Sequence, residues 1–144
     1  MTACVLFDTS VYLDILRSED FAREFRARYL RDIPRTYLSS VVVQELLAGA
    51  HGLRQQRLAA HLYGPFERVR RLVTPTHQVW KDAGLLTAAL WRQAPRFRDK
   101  LTSGLLNDIL VALSGRSIGA TVVSRNRGDF ELIRSVRLFR LEVI

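Results

Sequence analysis

Short, wholly apolar segments alternate with longer amphipathic segments along the chain. Residues 3–7 (ACVLF) and 120–124 (ATVVS) have the composition of strands buried inside a parallel sheet. The segments 35–40 (RTYLSS), 67–75 (ERVRRLVTP) and 136–144 (VRLFRLEVI) each predict a further short strand. We therefore expect five strands separated by helices.

Helical periodicity fills the intervals between these strands. Phe21, Phe25 and Tyr29 recur at i, i+4 and i+8, with Arg and Glu on the other faces. The segment 41–50 carries three valines that favour a strand, but its QELLA run favours a helix, and we interpret it as a helix. The other predicted helices cover residues 11–16, 53–62, 79–90, 105–115 and 129–135, and 94–104 is predicted to be a loop or a frayed helix end.

Local signals predict where several helices begin and end. Thr9 or Ser10 is expected to cap the first helix, and Ser39 and Ser40 cap the helix at 41–50. Gly64-Pro65 is expected to end the helix that starts near residue 53. Thr74 followed by Pro75 predicts the start of the next one.

The predicted order of elements is typical of an α/β protein. Strands that alternate with helices favour a mostly parallel central sheet flanked by helices on both faces. A chain of 144 residues has the length of one domain, so residues 1–144 are expected to form a single unit.

The charge favours an anionic partner without locating a site. The formal net charge is +8, and the only lysines are Lys81 and Lys100, so the cations are mostly arginines, which suit phosphate recognition. Codon usage in a GC-rich genome explains the arginines equally well, and both interpretations remain open.

Several classes of protein are disfavoured by the composition. No apolar run approaches the roughly 18 residues that a membrane span needs, and we recognise no signal peptide. The single cysteine, Cys4, excludes an internal disulfide framework and a cysteine-based zinc site. A cytoplasmic protein is expected.

Four carboxylates occupy unusual positions, and each has a purely structural alternative. Asp8 and Asp129 follow predicted strands, where either could cap the next helix. Glu45 interrupts an apolar helix, although it could face solvent. Asp108 is expected on the first turn of its helix, with Asn107 as a possible cap, where the helix dipole alone would favour a negative charge.

Taken together, the four carboxylates suggest a site for a hard divalent cation. Mg²⁺ and Mn²⁺ prefer oxygen ligands, and a bound cation would relieve the repulsion between crowded carboxylates. The three histidines have no metal-ligand spacing.

The sequence resembles the PIN-domain ribonucleases, and in particular the VapC-type toxins of bacterial type II toxin–antitoxin modules. Three stretches carry the resemblance in order: VLFDTSVYLDIL, LSSVVVQELLAGA and NDILVALSGRSIGATVVSRNRGDFELI. It implies a PIN-like fold and the metal-dependent hydrolysis of RNA by one or two Mg²⁺ or Mn²⁺ ions, leaving 5′-phosphate and 3′-hydroxyl ends.

The same resemblance implies roles for individual residues. It assigns metal binding and catalysis to Asp8, Glu45 and Asp108, and it leaves the fourth acidic position to Asp129, with Asn126 helping through its amide oxygen. The resemblance also implies that hydroxyls at the positions of Ser10 and Ser124 support the metal-bound water.

The resemblance also implies partners. These are an RNA substrate, a cognate antitoxin and a second copy of the chain in a homodimer, without a membrane. Arg125 and Arg127 are candidate RNA phosphate contacts, although solvated turn arginines are an equal alternative. Trp80 and Trp91 are expected in the core or at an interface rather than as platforms on which bases stack.

Other functions compete with this interpretation. A haloacid-dehalogenase-type phosphatase would need a second aspartate at the position of Ser10, and a receiver domain would need a lysine after Lys100. A catalytically inactive PIN-like module that binds RNA or protein remains an alternative, as does a PIN nuclease of RNA processing without a toxin role.

Overall fold

Five parallel strands form the central sheet of the computed structural model, which describes residues 3–93 and 95–144. Their order across the sheet is β3-β2-β1-β4-β5, and each neighbouring pair is parallel. The strands are β1 (Val5–Phe7), β2 (Thr36–Ser39), β3 (Leu72–Val73), β4 (Thr121–Ser124) and β5 (Arg140–Val143). The expected parallel α/β architecture is confirmed.

Helices connect the strands in the predicted order. A 3₁₀ turn at Pro95–Lys100 occupies the segment expected to be a loop or a frayed end, of which residue 94 lies outside the described part. Another 3₁₀ turn covers Ile33–Arg35. The α-helices are α1 (Thr9–Arg17), α2 (Glu19–Asp32), α3 (Ser40–Ala48), α4 (Leu53–Arg68), α5 (His77–Gln93), α6 (Ser103–Ser117) and α7 (Arg127–Val136).

The strand order reverses between β1 and β4. From β1 the chain moves outward to β2 and β3, and then it crosses to β4 and continues outward to β5. Because parallel crossovers are right-handed, the two directions place their helices on opposite faces of the sheet. Open α/β sheets bind ligands beyond the carboxyl ends of the strands at such a reversal, so the fold directs attention to the residues after β1 and β4.

Aromatic side chains hold α1 and α2 against the first strand. The Phe7 ring makes edge contacts with Phe25 and Tyr12, with centroids 5.6 and 6.2 Å apart, and a tilted contact with Tyr29 at 5.8 Å. Phe21 stacks on Phe25 at 5.2 Å. The predicted i, i+4, i+8 stripe therefore packs onto the strand that precedes Asp8.

The first helix is capped by a residue other than the predicted ones. Neither Thr9 nor Ser10 is the N-cap, because the Asp8 side chain accepts a hydrogen bond from the Ser10 amide at 3.4 Å. The cap of α3 is Ser39, as expected. Asp8 therefore caps the helix, as the structural alternative predicted, and this does not exclude a functional role for its carboxylate.

Helix α4 does not stop at Gly64-Pro65, so that prediction is wrong. The helix continues to Arg68 because Phe66 is buried. A proline inside a helix costs about 3 kcal/mol, and burying a phenylalanine contributes roughly 1.5–3 kcal/mol, so the anchored aromatic ring offsets most of the penalty.

Three later helix starts also differ from the predictions. Helix α5 begins at His77, where Thr76 Oγ1 accepts from the Val79 amide at 3.2 Å, while Thr74 hydrogen-bonds to Ser40. Helix α6 begins two residues early, capped by Thr102 rather than by Asn107, and α7 begins at Arg127 within the predicted turn. Asp108 consequently lies on the second turn of its helix.

The two tryptophans are not core residues. Trp80 is 53% exposed and Trp91 is 50% exposed, both on α5. The expected apolar stripe of that helix is buried instead, through Val79, Ala83, Leu86 and Leu90.

A glycine lets α6 approach β4 closely. A Cβ atom at Gly115 would lie 2.6 Å from Val122 Cγ2, which is closer than two such carbon atoms pack. Helix α6 carries Asp108 and β4 leads to Asn126, so this close packing keeps the two residues near each other.

A buried aspartate organises the amino ends of β1 and β2. Asp32 is 0% exposed, and it accepts hydrogen bonds from Arg28, Arg31 and Arg35 at 2.9–3.2 Å. Arg28 also pairs with Glu142 of β5. Burial acts to raise the pKa of Asp32, but the three arginines outweigh it and lower the pKa to about 2.

The chain ends at the opposite edge of the sheet. The Ile144 amide donates to the Ser124 carbonyl at 3.0 Å, which extends the pairing of β5 with β4 to the last residue. None of the helices in the described part is long and apolar enough to cross a membrane.

The Asp32 cluster predicts acid sensitivity. Because the folded pKa is about 2 and the unfolded value near 3.9, this group stabilises the fold above about pH 4, by about 2 kcal/mol, and the contribution is lost as the pH falls towards 2. Asp32→Asn should remove that amount at neutral pH and flatten stability over this interval, measured by urea unfolding. Asp20→Asn, which disrupts only the exposed pair with Arg23, should behave as the wild type.

Candidate functional site

Asp8 lies immediately after β1, at the point where the strand order reverses. Its backbone amide donates to the Val123 carbonyl of β4 at 2.9 Å, which holds the residue between the two strands. The side chain is 2% exposed. A carboxylate is therefore buried where an open α/β sheet places its ligands.

Two serine hydroxyls bind one oxygen of this carboxylate and leave the other oxygen unpartnered. Ser10 Oγ and Ser124 Oγ donate to Asp8 Oδ2 at 2.8 and 2.9 Å. Each serine in turn accepts from a backbone amide, of Arg125 and Asn126 respectively. Asp8 Oδ1 is buried and has no hydrogen-bond partner in the described part of the chain.

The environment of Asp8 disfavours its negative charge. Burial raises the pKa of its carboxyl group, and the hydrogen bonds from Ser10 and Ser124 act in the opposite direction without cancelling it. A buried polar atom without a partner normally costs free energy, so the free Oδ1 calls for a ligand.

Glu45 reaches the same region from α3. Its Oε1 accepts from Thr9 Oγ1 at 2.7 Å, which connects the glutamate to the residue next to Asp8. The side chain is partly exposed rather than fully in solvent. Thr9 was not predicted as the partner of Glu45, because its position after Asp8 suggested only a helix cap.

Asp108 carries the clearest electrostatic signature. The residue is 8% exposed on α6. Burial is the main cause that raises its pKa to about 9, and the charge of Asp8, a hydrogen bond with Asp129 and the charges of Asp129 and Glu45 all add to the effect. The other three acids predicted from the sequence therefore all act on the pKa of Asp108.

Asn126 bridges two of these acids. Its Nδ2 donates to Asp108 Oδ2 at 3.3 Å and to Asp129 Oδ2 at 3.1 Å. The amide oxygen, which was expected to assist a metal, instead accepts from the Asp129 amide as the N-cap of α7. Asn126, and not Asp129, is thus the cap, which leaves the Asp129 carboxylate uncommitted to capping.

The acids lie close enough to affect the pKa of Asp108, but their side chains do not form a compact cluster. Over residues 3–93 and 95–144, no group of three His, Cys, Asp or Glu side chains has the spacing of a metal cluster. Hydroxyl and amide groups hold the carboxylates apart: the two serines on Asp8, Thr9 on Glu45 and Asn126 between Asp108 and Asp129.

The donor set nevertheless fits a hard divalent cation. The acids and the hydroxyls that bind them offer oxygen ligands, Asp8 Oδ1 has no partner among the described residues, and burial together with the neighbouring negative charges raises the pKa of Asp108. Asp8, Glu45, Asp108 and Asp129 are the side chains that would hold such an ion. A cation would then replace the proton of Asp108 as the neutralising charge.

The two arginines beside the acids already have partners. Arg125 pairs with Asp14, and its guanidinium lies 4.3 Å from the centroid of the Phe21 ring. Arg127 pairs with Glu131 one turn along α7 at 2.9 Å. The contacts of Arg125 with Asp14 and Phe21 could not be predicted from the sequence, because both partners lie more than a hundred residues earlier in the chain.

The family profile of the PIN domain matches residues 5–135, which include all four acids. The chain belongs to the PIN-domain family. The resemblance stated from the sequence is confirmed at this level. No curated protein sequence matches the chain.

Solved structures share the PIN fold over nearly the whole chain. A DNA-bound VapBC complex from Salmonella typhimurium superposes with a TM-score of 0.74 at 22% identity, covering 99% of this chain and 98% of that chain. VapBC-1 from nontypeable Haemophilus influenzae gives 0.69 at 18%, covering 97% of each. VapBC2 from Rickettsia felis, bound to a promoter DNA fragment, gives 0.67 at 17%, covering 98% of each.

Replacing the ionisable carboxyl group of Asp108 with a neutral amide should stabilise the folded protein in EDTA. The folded pKa is about 9 and the unfolded value near 3.9, so stability from this group is complete below about pH 4 and is lost as the pH rises towards 9. Asp108→Asn keeps the shape without titrating. We expect the unfolding free energy of Asp108→Asn to exceed that of the wild type by about 5 kcal/mol at about pH 8 and by about 1–2 kcal/mol near pH 5, seen as a higher melting temperature that approaches the wild-type value as the pH falls.

A partly exposed aspartate provides the control for this comparison. Asp82 on α5 hydrogen-bonds only to Gln78, so Asp82→Asn should melt as the wild type does at both pH values. A difference between Asp108→Asn and the wild type that does not change with pH would contradict the assignment of Asp108 as a protonated group.

Proposed function

We propose that this PIN domain is a metal-dependent endoribonuclease that hydrolyses RNA phosphodiester bonds, and that it is the toxin of a toxin–antitoxin pair. The observation that carries the enzymatic part is Asp8, a buried carboxylate with one unpartnered oxygen at the strand reversal, beside an Asp108 whose pKa neighbouring acids help to raise. Perturbed carboxylates at the ligand-binding edge of a sheet are typical of a catalytic site.

Each residue of the site has a distinct task in this proposal. Asp8, Glu45, Asp108 and Asp129 would hold one or two Mg²⁺ or Mn²⁺ ions, which polarise the scissile phosphate and lower the pKa of the attacking water. Ser10 and Ser124 hold Asp8 through Oδ2, so that Oδ1 remains available.

Two further groups support this arrangement. Thr9 fixes the Glu45 carboxylate, and Asn126 sets the separation between Asp108 and Asp129. Hydrogen-bonded partners of this kind orient metal ligands in many sites, and their loss typically costs roughly 10–100-fold in activity or metal affinity.

The positive charge supports RNA as the substrate. A net charge of +8 attracts a polyanion to a site whose own side chains are acidic. Arg125 would contact RNA only after leaving Asp14, and Arg127 only after leaving Glu131, so both contacts compete with existing ion pairs.

The toxin role and the partners are drawn from the structural relatives. These relatives are VapBC complexes, and similarity in fold over whole chains makes a cognate antitoxin and a homodimer the natural partners to test. We propose that the protein acts in the cytoplasm, where RNA and such a partner would be available.

The nuclease proposal predicts activity that depends on both a metal and Asp8. The wild type should cleave single-stranded RNA in Mg²⁺ or Mn²⁺ and stop in EDTA. Asp8→Asn should lose more than the roughly 10–100-fold expected of Ser124→Ala, because Asn keeps the cap but lacks the charge. Gel analysis of labelled RNA measures both.

The same assay separates the alternatives. Asp82→Asn should cleave as the wild type does. Equal cleavage by the wild type and Asp8→Asn would refute the mechanism, and RNA binding without cleavage by folded wild type would favour an inactive binding module.

The toxin proposal predicts growth arrest. Expression of the wild type in a bacterial host should stop growth, Asp8→Asn should not, and co-expression of a small protein encoded beside this chain should restore growth. Plating efficiency after induction measures the effect. Cleavage of RNA without growth arrest would favour a PIN nuclease of RNA processing.

A further inference from the structure

A cavity lies beside the acids and is not used by the proposed chemistry. Its volume is about 400 Å³, within the roughly 300–1,000 Å³ typical of small-molecule sites. Helices α3, α5 and α6 and the segment before α5 form its walls. The residues that line it include Val41, Gln44, Pro75, Trp80, Asn107 and Leu110.

The cavity adjoins the acids through two helices. On α3, Gln44 precedes Glu45, and Val41 lies one turn before it on the same face. On α6, Asn107 precedes Asp108. The i, i+4 relation of Val41 and Glu45 therefore places this acid one helical turn from the lining of the cavity, on the same face of α3.

The lining combines an apolar floor with uncommitted polar groups. Val41 and Leu110 are buried, whereas Trp80 keeps half of its surface exposed. Neither the side-chain amide of Gln44 nor that of Asn107 hydrogen-bonds to a residue that the structure describes. An amide carries both a donor and an acceptor, which is what reading the edge of a nucleobase requires.

The charge of the cavity favours a base over a phosphate. No charged side chain is among the described residues that line it. A phosphate would need an arginine or lysine there, whereas an unpaired base needs a π surface and a few hydrogen-bonding groups. Trp80 offers such a surface, and it is otherwise an exposed tryptophan without a packing role.

We propose that this cavity binds one unpaired base of the RNA substrate, next to the phosphodiester held at the acids, with Trp80 stacking on the base and Gln44 and Asn107 reading its edge. The inference rests on the proposed ribonuclease function and adds a source of sequence preference to it. The pocket favours single-stranded RNA, because a paired base must first be unpaired and unstacked, which costs free energy.

An abasic scan of the substrate tests this pocket. The cut site is first mapped on short single-stranded RNAs, and each base near it is then replaced by an abasic residue. For the wild type, one position flanking the cut should lower kcat/KM by roughly 10-fold. Trp80→Ala should lose a similar factor on intact RNA and become insensitive to the abasic residue at that position.

Two variants keep this test specific. Trp80→Phe retains an aromatic face and should preserve most of the activity. Trp91→Ala removes an equally exposed tryptophan from the same helix, outside the cavity, and should match the wild type. Gln44→Ala and Asn107→Ala should change which base is preferred at the sensitive position.

Binding measurements distinguish failure of the pocket from failure of the nuclease. Fluorescence anisotropy with the same RNAs in EDTA does not depend on cleavage. If the wild type never cleaves RNA, the proposed function fails, yet weaker RNA binding by Trp80→Ala than by Trp91→Ala would still support the pocket.

Two outcomes would overturn the inference. One is that Trp80→Ala cleaves and binds intact and abasic RNA as the wild type does. The other is that Trp80→Ala leaves RNA binding unchanged but weakens binding of the protein encoded beside this chain, which would assign the cavity to a protein partner.

Discussion

Crowding of carboxylates in a poorly solvated corner is the constraint around which this PIN domain is built. Asp8 and Asp108 are withdrawn from water, and the charge of Asp8 adds to the cost of charging Asp108. The fold tolerates this because the serines bind one face of Asp8 and Asn126 donates to both Asp108 and Asp129. An arrangement that is unfavourable for the folded chain alone becomes favourable once a positive charge enters it, which is the usual relation between stability and function at such sites.

The opposite edge of the sheet has the reverse electrostatics. There one buried carboxylate, Asp32, is surrounded by three arginines, and its pKa falls where that of Asp108 rises. The contrast shows that burial alone does not set the pKa of an acid, since both residues lie inside the protein. At Asp32 the surrounding cations overcome the effect of burial and stabilise the fold, whereas at Asp108 burial and the neighbouring anions both raise the pKa.

Much of the fold could be predicted from the sequence because its strands are short apolar runs and its helices are strongly periodic. The order of elements and the position of Asp8 directly after β1 follow from local pattern. The errors arose where tertiary contacts outweigh local signals, as when the burial of Phe66 carries a helix through Pro65. Partners distant in sequence, such as Asp14 for Arg125 or Glu142 for Arg28, could not be predicted, because no local spacing records them. The Asp32 cluster was not predicted, although Arg28 and Arg35 lie four residues before it and three after it.

The hydrogen bond from Ile144 to the Ser124 carbonyl has a practical consequence. Because all five strands run in the same direction, β5 delivers the last residue to the edge that carries the acids, whereas Ala3, whose carbonyl binds Arg35, lies at the far edge. A peptide appended after residue 144 would therefore emerge on the side of the sheet that carries Asp8, where it could cover the acids or, if designed to do so, deliver a tethered ligand to them. An affinity tag is better joined at the other terminus.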